Sequence, residues 1–416
     1  MTVIDIAQIQ MRRGTAAVWA LANPVLLQGE PGMETDTGVI KVGDGTTAWA
    51  ALLQGVVAKS LVTTKGDLVG ASAGSTPVRV PVGPDGSSLM ASSAAASGLA
   101  WAGNQAAGKN RLLNSDFGIW QRGTSFVTAG KVYCADRWEI WASGATTNVT
   151  AAQVAGTNGV KWAMKFGRQA GVVGSNIPLL STTLESLESL EYAGKQVTVS
   201  FEALKGANYS GGTLSVNLLT GIGTDQNFSA FTGSVTQSSF ITLTAGMLVH
   251  SVTFTVASGV TQVAVQFAYT PTGTAGADDT VTVQKVQLEL GAVATPFAIN
   301  GANVASELSS CKRFARRFSS ALAAGAHFGI GRVTSATAAL ILIPFDTEMR
   351  AVPTFAATNI TGLNLNGVAV TSITLDWATP YNAGITVNVA AGLTAGQAAD
   401  LQSSTTAGIL DFIAEL

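Results

Sequence analysis

A multi-domain, all-β protein is predicted by three observations. At 416 residues the chain is too long for one ordinary domain. Charged residues make up 12% of it and 46 positions are glycine, with Ala, Thr, Ser and Val also abundant; small and β-branched residues with frequent glycines suit strands joined by many turns. Short runs of strict alternation recur as well: Val197, Val199 and Phe201 share one face, as do Val252, Phe254 and Val256, and Val263, Val265, Phe267 and Tyr269. With 47% hydrophobic residues the chain is not a disordered one, and its low charge suits surface buried in an oligomer.

The same composition excludes several classes. A net charge of −2 without a basic stripe argues against a nucleic-acid partner. Two distant cysteines, Cys134 and Cys311, form neither a disulfide framework nor a zinc spacing. The most apolar run, Ala339 to Pro344, is strand length, far short of the roughly 20 residues of a membrane span, so no membrane insertion is expected. The opening stretch lacks the apolar core of a signal peptide, which points to synthesis in a cytoplasm.

Residues 1–58 read as a small α+β module. Val3 to Gln10 alternates through Ile4, Ile6 and Ile9 as a strand. Thr15 can cap a short helix that Pro24 ends. Two short strands then join at Asp36-Thr37-Gly38, and a second turn follows at Gly43-Asp44-Gly45 with Trp49 packed behind it. So small a core generally needs oligomerisation to support it.

The pattern of this module is specific: the Arg12-Arg13 start, Trp19 to Asn23-Pro24, the hairpin from Gly29 to Gly38 and the closing Lys41 to Trp49. It closely resembles an N-terminal module of tail fibres and minor tail proteins of tailed bacteriophages, and is similar to the N-terminal domain of the phage major tropism determinant. The resemblance implies a homotrimer attached to the virion, through tail or baseplate proteins, by this end.

Residues 59–109 are rich in Gly, Ser, Ala and Pro, as a flexible linker would be. They also hold short β-like pieces that one chain cannot bury alone, so an intertwined trimeric β neck is expected. The segment resembles phage fibre shafts.

Residues 110–300 read as a jelly-roll β-sandwich, with a bulge near Lys285 where the last strand shifts phase. The phrases Asn110 to Phe126, Ala135 to Trp138 and Val286 to Phe297 resemble a jelly-roll module of phage fibres, similar in design to carbohydrate-binding modules. In that design the first and last strands lie side by side, so these phrases should meet. Residues 301–416 read as a C-terminal β-domain at the fibre tip, opening with a helix that gives way to a strand near Arg313.

Few residues announce chemistry. His250 and His327 are the two histidines, and no nucleophile elbow, zincin motif or P-loop is present. Asp278 and Asp279 read as a solvated turn; Glu185, Glu188 and Glu191 read as an amphipathic turn with Leu184, Leu187 and Leu190. Neither set reads as the carboxylate pair of a glycosidase, so the chain is expected not to be an enzyme. Asp136 and Arg137 beside Trp138 read as a structural lock, a buried Asp–Arg pair. Trp120, Trp141, Trp162, Tyr209 and Trp377 are candidate sugar platforms, each also readable as core. Arg313, Arg316 and Arg317 read as a basic rim for anionic glycans or as a solvated or inter-subunit face. The carbohydrate-binding resemblance implies one candidate cofactor, a structural calcium that Asn114 or Asp116 with Glu289 would hold; a hydrogen-bonded polar set is the alternative.

The expected function is that of a trimeric tail fibre, a receptor-binding virion protein that engages host surface polysaccharide by multivalent weak sites. A purely structural head fibre or baseplate adaptor, and a tail-spike depolymerase, are the alternatives.

Overall fold

The computed structural model describes residues 11–52, 61–74, 76–83, 87–93, 95–103, 109–143, 148–321 and 324–416. The strand expected from Val3 to Gln10 lies outside them. The chain divides into two compact units, residues 1–104 and 105–416.

In the first unit, β1 (Arg12–Gly14), β2 (Pro31–Glu34) and β3 (Ile40–Val42) form a three-stranded sheet, with β1 parallel to β2. Helix α1 (Ala16–Ala22) begins where the Thr15 hydroxyl accepts from Val18 N and ends at Asn23 in the left-handed region. Trp19 and Trp49 stack at 3.9 Å and, with Leu26 and Leu52, form a buried cluster. Gly32 leaves room for it, since a Cβ there would come within 2.6 Å of Trp49. Two hairpins follow, β4 (Leu68–Ala73) with β5 (Thr76–Val80), and β6 (Ser87–Ala91) with β7 (Leu99–Gly103). Asp67 fastens the first, accepting from the Thr63 and Thr64 amides and pairing with Arg79 at 2.8 Å.

The second unit is a sandwich joined to a barrel. One sheet runs, in spatial order, β16 (Val235–Ile241), β15 (Leu214–Gly221), β18 (Gln262–Ala268), β13 (Pro178–Thr183), β10 (Glu139–Ala142) and β9 (Val132–Tyr133). The other runs β17 (Leu248–Thr255), β14 (Gln196–Lys205), β19 (Thr280–Leu290), β12 (Trp162–Arg168), β11 (Val149–Ala155) and β8 (Ser125–Thr128). The alternating faces close on one another: Val197, Val199 and Phe201 of β14 share one buried cluster with Val263, Val265 and Phe267 of β18. Phe201 meets Phe267 edge-on across the two sheets, ring centres 4.9 Å apart, a geometry that adds about 0.5–1.5 kcal/mol beyond area burial. The phase shift falls at Lys285, whose φ is +52° and where the β14–β19 register slips.

The phrases around Asn110 and Val286 meet. Val286 N donates to Ser115 O at 3.0 Å. The Asn110 amide donates to Val286 O at 2.9 Å, and its oxygen accepts from Leu288 N at 3.1 Å. Asn114, Phe117 and Arg137 in this stretch hold positive φ, each at a cost of order 1–3 kcal/mol. The turn is fixed by Asn114, which accepts from Ile119 N and donates to the carbonyls of Ile119 and Asp136.

Helix α3 (Val304–Lys312) carries an Asn303–Ser306 capping box and gives way to β20 (Ala315–Ser319). A three-stranded sheet, β20, β28 (Ile409–Ile413) and β23 (Thr354–Thr358), stands beside a closed six-stranded barrel. The barrel order is β21 (His327–Ser335), β22 (Ala338–Pro344), β26 (Asn382–Val389), β25 (Val368–Ala378), β24 (Leu363–Leu365) and β27 (Ala398–Ser403). Among the described residues no helix is long and apolar enough to cross a membrane.

Several expectations change. Asp136 and Arg137 are buried, as a lock requires, but they do not pair: Asp136 accepts from Gln121 N and the Gln121 amide, whereas Arg137 pairs with Glu415 and donates to Thr183 O. Adjacent residues on a tight turn point apart, so each finds a distant partner. Asp279 is not solvated either. It is fully buried against Arg168 at 2.7 Å, and Arg168 also donates to the carbonyls of Gly174, Thr272 and Gly273. The three arginines near the helix are not a free rim, since Arg313 pairs with Glu185, Arg316 with Asp346 and Arg317 with Asp411. Leu187 and Leu190 face solvent, and Ser189 is the residue the α2 turn (Ser186–Ser189) buries. Cys134 and Cys311 are both buried and free.

Candidate functional site

The outer face of the β16–β9 sheet carries two cross-strand rows. Register aligns Ser238, Asn217, Gln266, Ser181, Glu139 and Tyr133 across all six strands. One step along, it aligns Phe240, Ser215, Ala268, Leu179 and Trp141. The core-facing partners are apolar, so strand alternation forces these residues outward.

Polar groups of the first row are linked to one another and to Ser215 of the second. Ser215 Oγ donates to Asn217 Oδ1 at 2.7 Å, Asn217 Nδ2 to Gln266 Oε1 at 3.1 Å, and Gln266 Nε2 to Ser181 Oγ at 3.1 Å. Each amide NH2 has two protons, so the chain fixes both amides and leaves each a donor. The second row supplies shape. Phe240 is 66% exposed at one end, Ser215 and Ala268 keep the middle low, and Trp141 packs on Phe228 at 6.5 Å at the other. A cleft of about 330 Å³ lies over Phe240, Ser215, Asn217, Gln266, Leu179 and Tyr269. An aromatic wall over an oriented amide floor is the chemistry that holds a polyhydroxylated ring: apolar C–H face to the aromatic, hydroxyls to the amides.

Glu139 sits farther along the polar row. One oxygen accepts from Asn227 at 2.8 Å, and the other is buried without a partner. Burial pushes its carboxyl up to about 7.

The predicted residues scatter. Trp141 lies on this face, and Tyr209 packs on the cleft residue Tyr269 at 4.8 Å. Trp120 is structural: its Nε1 donates to Phe117 O at 2.7 Å and its ring lies against Phe126. Trp162 opens β12 in the other sheet, beneath Lys161. Trp377 is on the barrel. The calcium candidates do not form one oxygen cage. Asn114 is spent on backbone groups, Asp116 accepts from Gly118 N, and Glu289 accepts from Gln287 and Thr295. Among the described residues no group of three or more His, Cys, Asp or Glu gathers as a metal site. Phe240, Asn217, Gln266 and Ser181 were missed; the signal was polar side chains at the outward phase of otherwise small or apolar strands.

The family model of the major tropism determinant N-terminal domain matches residues 9–47. A 45-residue segment is 44% identical to a hyaluronoglucosaminidase of Streptococcus pyogenes phage H4489A, covering 11% of this chain and 12% of that protein. The chain therefore matches only a small part of that relative's length. Among solved structures, the enzymatically active domain of tailspike protein 4 of bacteriophage CBA120 is 12% identical, covers 44% of this chain and 22% of that one, and has a TM-score of 0.29. The CBM22-1 xylan-binding domain of Paenibacillus barcinonensis Xyn10C is 12% identical over 45% of this chain and 98% of that one, TM-score 0.28. The first unit thus carries a phage tropism-type module, and the chain is virion-associated and all-β. The hyaluronoglucosaminidase relative overturns the expectation that the chain is not an enzyme.

Proposed function

We propose that this is a trimeric tail-fibre protein that engages host surface saccharide through the outer face of the β16–β9 sheet. Residues 1–58 are its attachment module, 59–109 its neck, 110–300 the saccharide-binding sandwich and 301–416 the tip. The observation that carries the reading is the ordered amide chain from Asn217 through Gln266 to Ser181 beside exposed Phe240. Each amide keeps one N–H beyond the link that holds it, beside an exposed aromatic ring at an open cleft. Three chains presenting one weak site each, repeated by fibre copy number, gain affinity through effective concentration. Purified full-length chain should compete with virions for host cells, and host surface polysaccharide should relieve the competition. Failure of Phe240→Ala and Gln266→Ala to weaken that competition would overturn the assignment.

A second reading is cleavage of the bound glycan. It is favoured by the hyaluronoglucosaminidase relative and by Glu139, whose carboxyl stays protonated up to about pH 7 on the same row as the amides, the state of a general acid. Release of reducing ends from host polysaccharide by the wild type, lost in Glu139→Gln, would support it. Binding without release would leave recognition as the function.

A further inference from the structure

A second site stands on the outer wall of the barrel. Register places Ile330, Leu342, Gly384 and Trp377 in one row across β21, β22, β26 and β25. Arg332 and Leu340 face each other in the neighbouring row. Gly384 is the device that shapes it. A Cβ there would come within 2.3 Å of Trp377 Nε1, so only glycine lets the indole lie down on the wall. The result is a shelf of about 280 Å³, lined by Leu340, Leu342, Trp377 and Arg332, with Trp377 still 39% exposed.

Arg332 makes the shelf more than an apolar patch. The other arginines of residues 301–416 all pair with carboxylates of the fold. The Arg332 side chain is exposed and, among the described residues, its guanidinium has neither an ion pair nor a hydrogen bond. Asp376 precedes Trp377 in the chain but does not line the shelf. An indole face beside a free guanidinium suits a sugar ring whose apolar face stacks while a carboxylate takes the fork of N–H donors. We propose that the Trp377 shelf binds a carboxylate-bearing saccharide, separately from the sandwich face.

The test is titration of the full-length chain on an array of neutral and uronate- or sialate-bearing glycans. The wild type should bind members of the acidic class. Trp377→Ala should weaken them about tenfold, the loss of one aromatic stack. Arg332→Gln changes an exposed side chain without a partner in the fold, so it keeps the test independent of folding. It should weaken acidic glycans and leave neutral ones unchanged. Wild type that binds no acidic glycan, or both variants keeping wild-type affinity for the acidic class, would overturn the shelf. Neutral glycans lost in Phe240→Ala alone, with both shelf variants silent, would sink the shelf and keep the sandwich face. Acidic glycans lost in the shelf variants, with Phe240→Ala silent throughout, would do the reverse.

Discussion

Arg137 and Glu415 form an ion pair with side chains only 3% and 5% exposed, although they lie near opposite ends of the second unit's sequence. Arg122 pairs with the same carboxylate at 2.9 Å, and the Arg137 guanidinium lies 3.7 Å from the centre of the Phe314 ring. Ala414 N donates to Phe314 O, and Tyr133 donates to Leu416 O. The last residues therefore tie the sandwich to the sheet beside the barrel.

Removing the Glu415 charge takes the partner from both Arg137 and Arg122 and leaves buried charge without compensation, which costs about 3–5 kcal/mol. Glu415→Met is expected to lower the stability of the second unit by that amount in urea denaturation. Replacing Arg137 and Glu415 together by apolar residues should cost less than the two single changes summed. A single-variant loss under about 1 kcal/mol would mean that the pair is wet.

Glu139 gives a pH signature. Burial raises its folded carboxyl to about 7 from the ordinary 4.5, against the partial relief of Asn227 and Lys131. The folded state then binds more protons than the unfolded one between those values. Stability contributed at low pH is lost as pH rises from about 4.5 to 7, at roughly 1.4 kcal/mol per pH unit for a full proton. Glu139→Gln should flatten that decline and make the protein more stable than wild type at pH 8. Asp136, pushed up to about 6 by burial, declines in both proteins and so cancels in the comparison. Parallel wild-type and variant profiles would contradict the assignment.

How much of this was legible beforehand follows from what alternation can carry. The core faces of β14, β17 and β18, the Thr15 cap, the bulge at Lys285 and the change from helix to strand near Arg313 all follow from local pattern. Partners distant in sequence do not. Nothing near Arg137 points to Glu415, and nothing near Asp279 points to Arg168, because a charge on a strand or turn reads as solvated until the other sheet is in place. Trp120, Trp141, Trp162, Tyr209 and Trp377 stand out in the sequence as candidate sugar platforms, whereas isolated amides do not. Gln266 was visible all the same, standing between Ala264 and Ala268 on the outward phase of β18. Barrel closure was not readable, since each strand's pattern is the same in an open sheet.

Phe240 separates binding from stability. Its side chain is mostly exposed, so Phe240→Ala should leave the melting temperature within about 1 °C of wild type, as surface substitutions do. The same change should weaken saccharide binding about tenfold. Gln266→Ala, by contrast, strands Asn217 Nδ2 and Ser181 Oγ, so it should cost about 1–3 kcal/mol of stability along with affinity. Calorimetric melting beside glycan titration checks both, and an equal loss of stability in the two variants would refute the distinction.

The hairpins β4–β5 and β6–β7 give the last prediction. Leu68, Val69 and Met90 are exposed on strand pairs whose partners within the chain leave them uncovered, and Val82, just past β5, is exposed too. An isolated two-stranded hairpin is marginal in water at best, and exposed apolar side chains on such hairpins call for a neighbour. Two further copies of the same hairpins would supply one with matching chemistry and closed symmetry, as the proposed trimer requires. Light scattering should then give the mass of three 42.3 kDa chains. Val69→Asp with Met90→Asp should release single chains, because the six carboxylates a trimer would gather repel and lose hydration there. The second unit should keep its melting transition in that variant. A wild type that stays a single chain at micromolar concentration would end the fibre reading, and the sandwich face would then act as one weak site without the gain from multivalency.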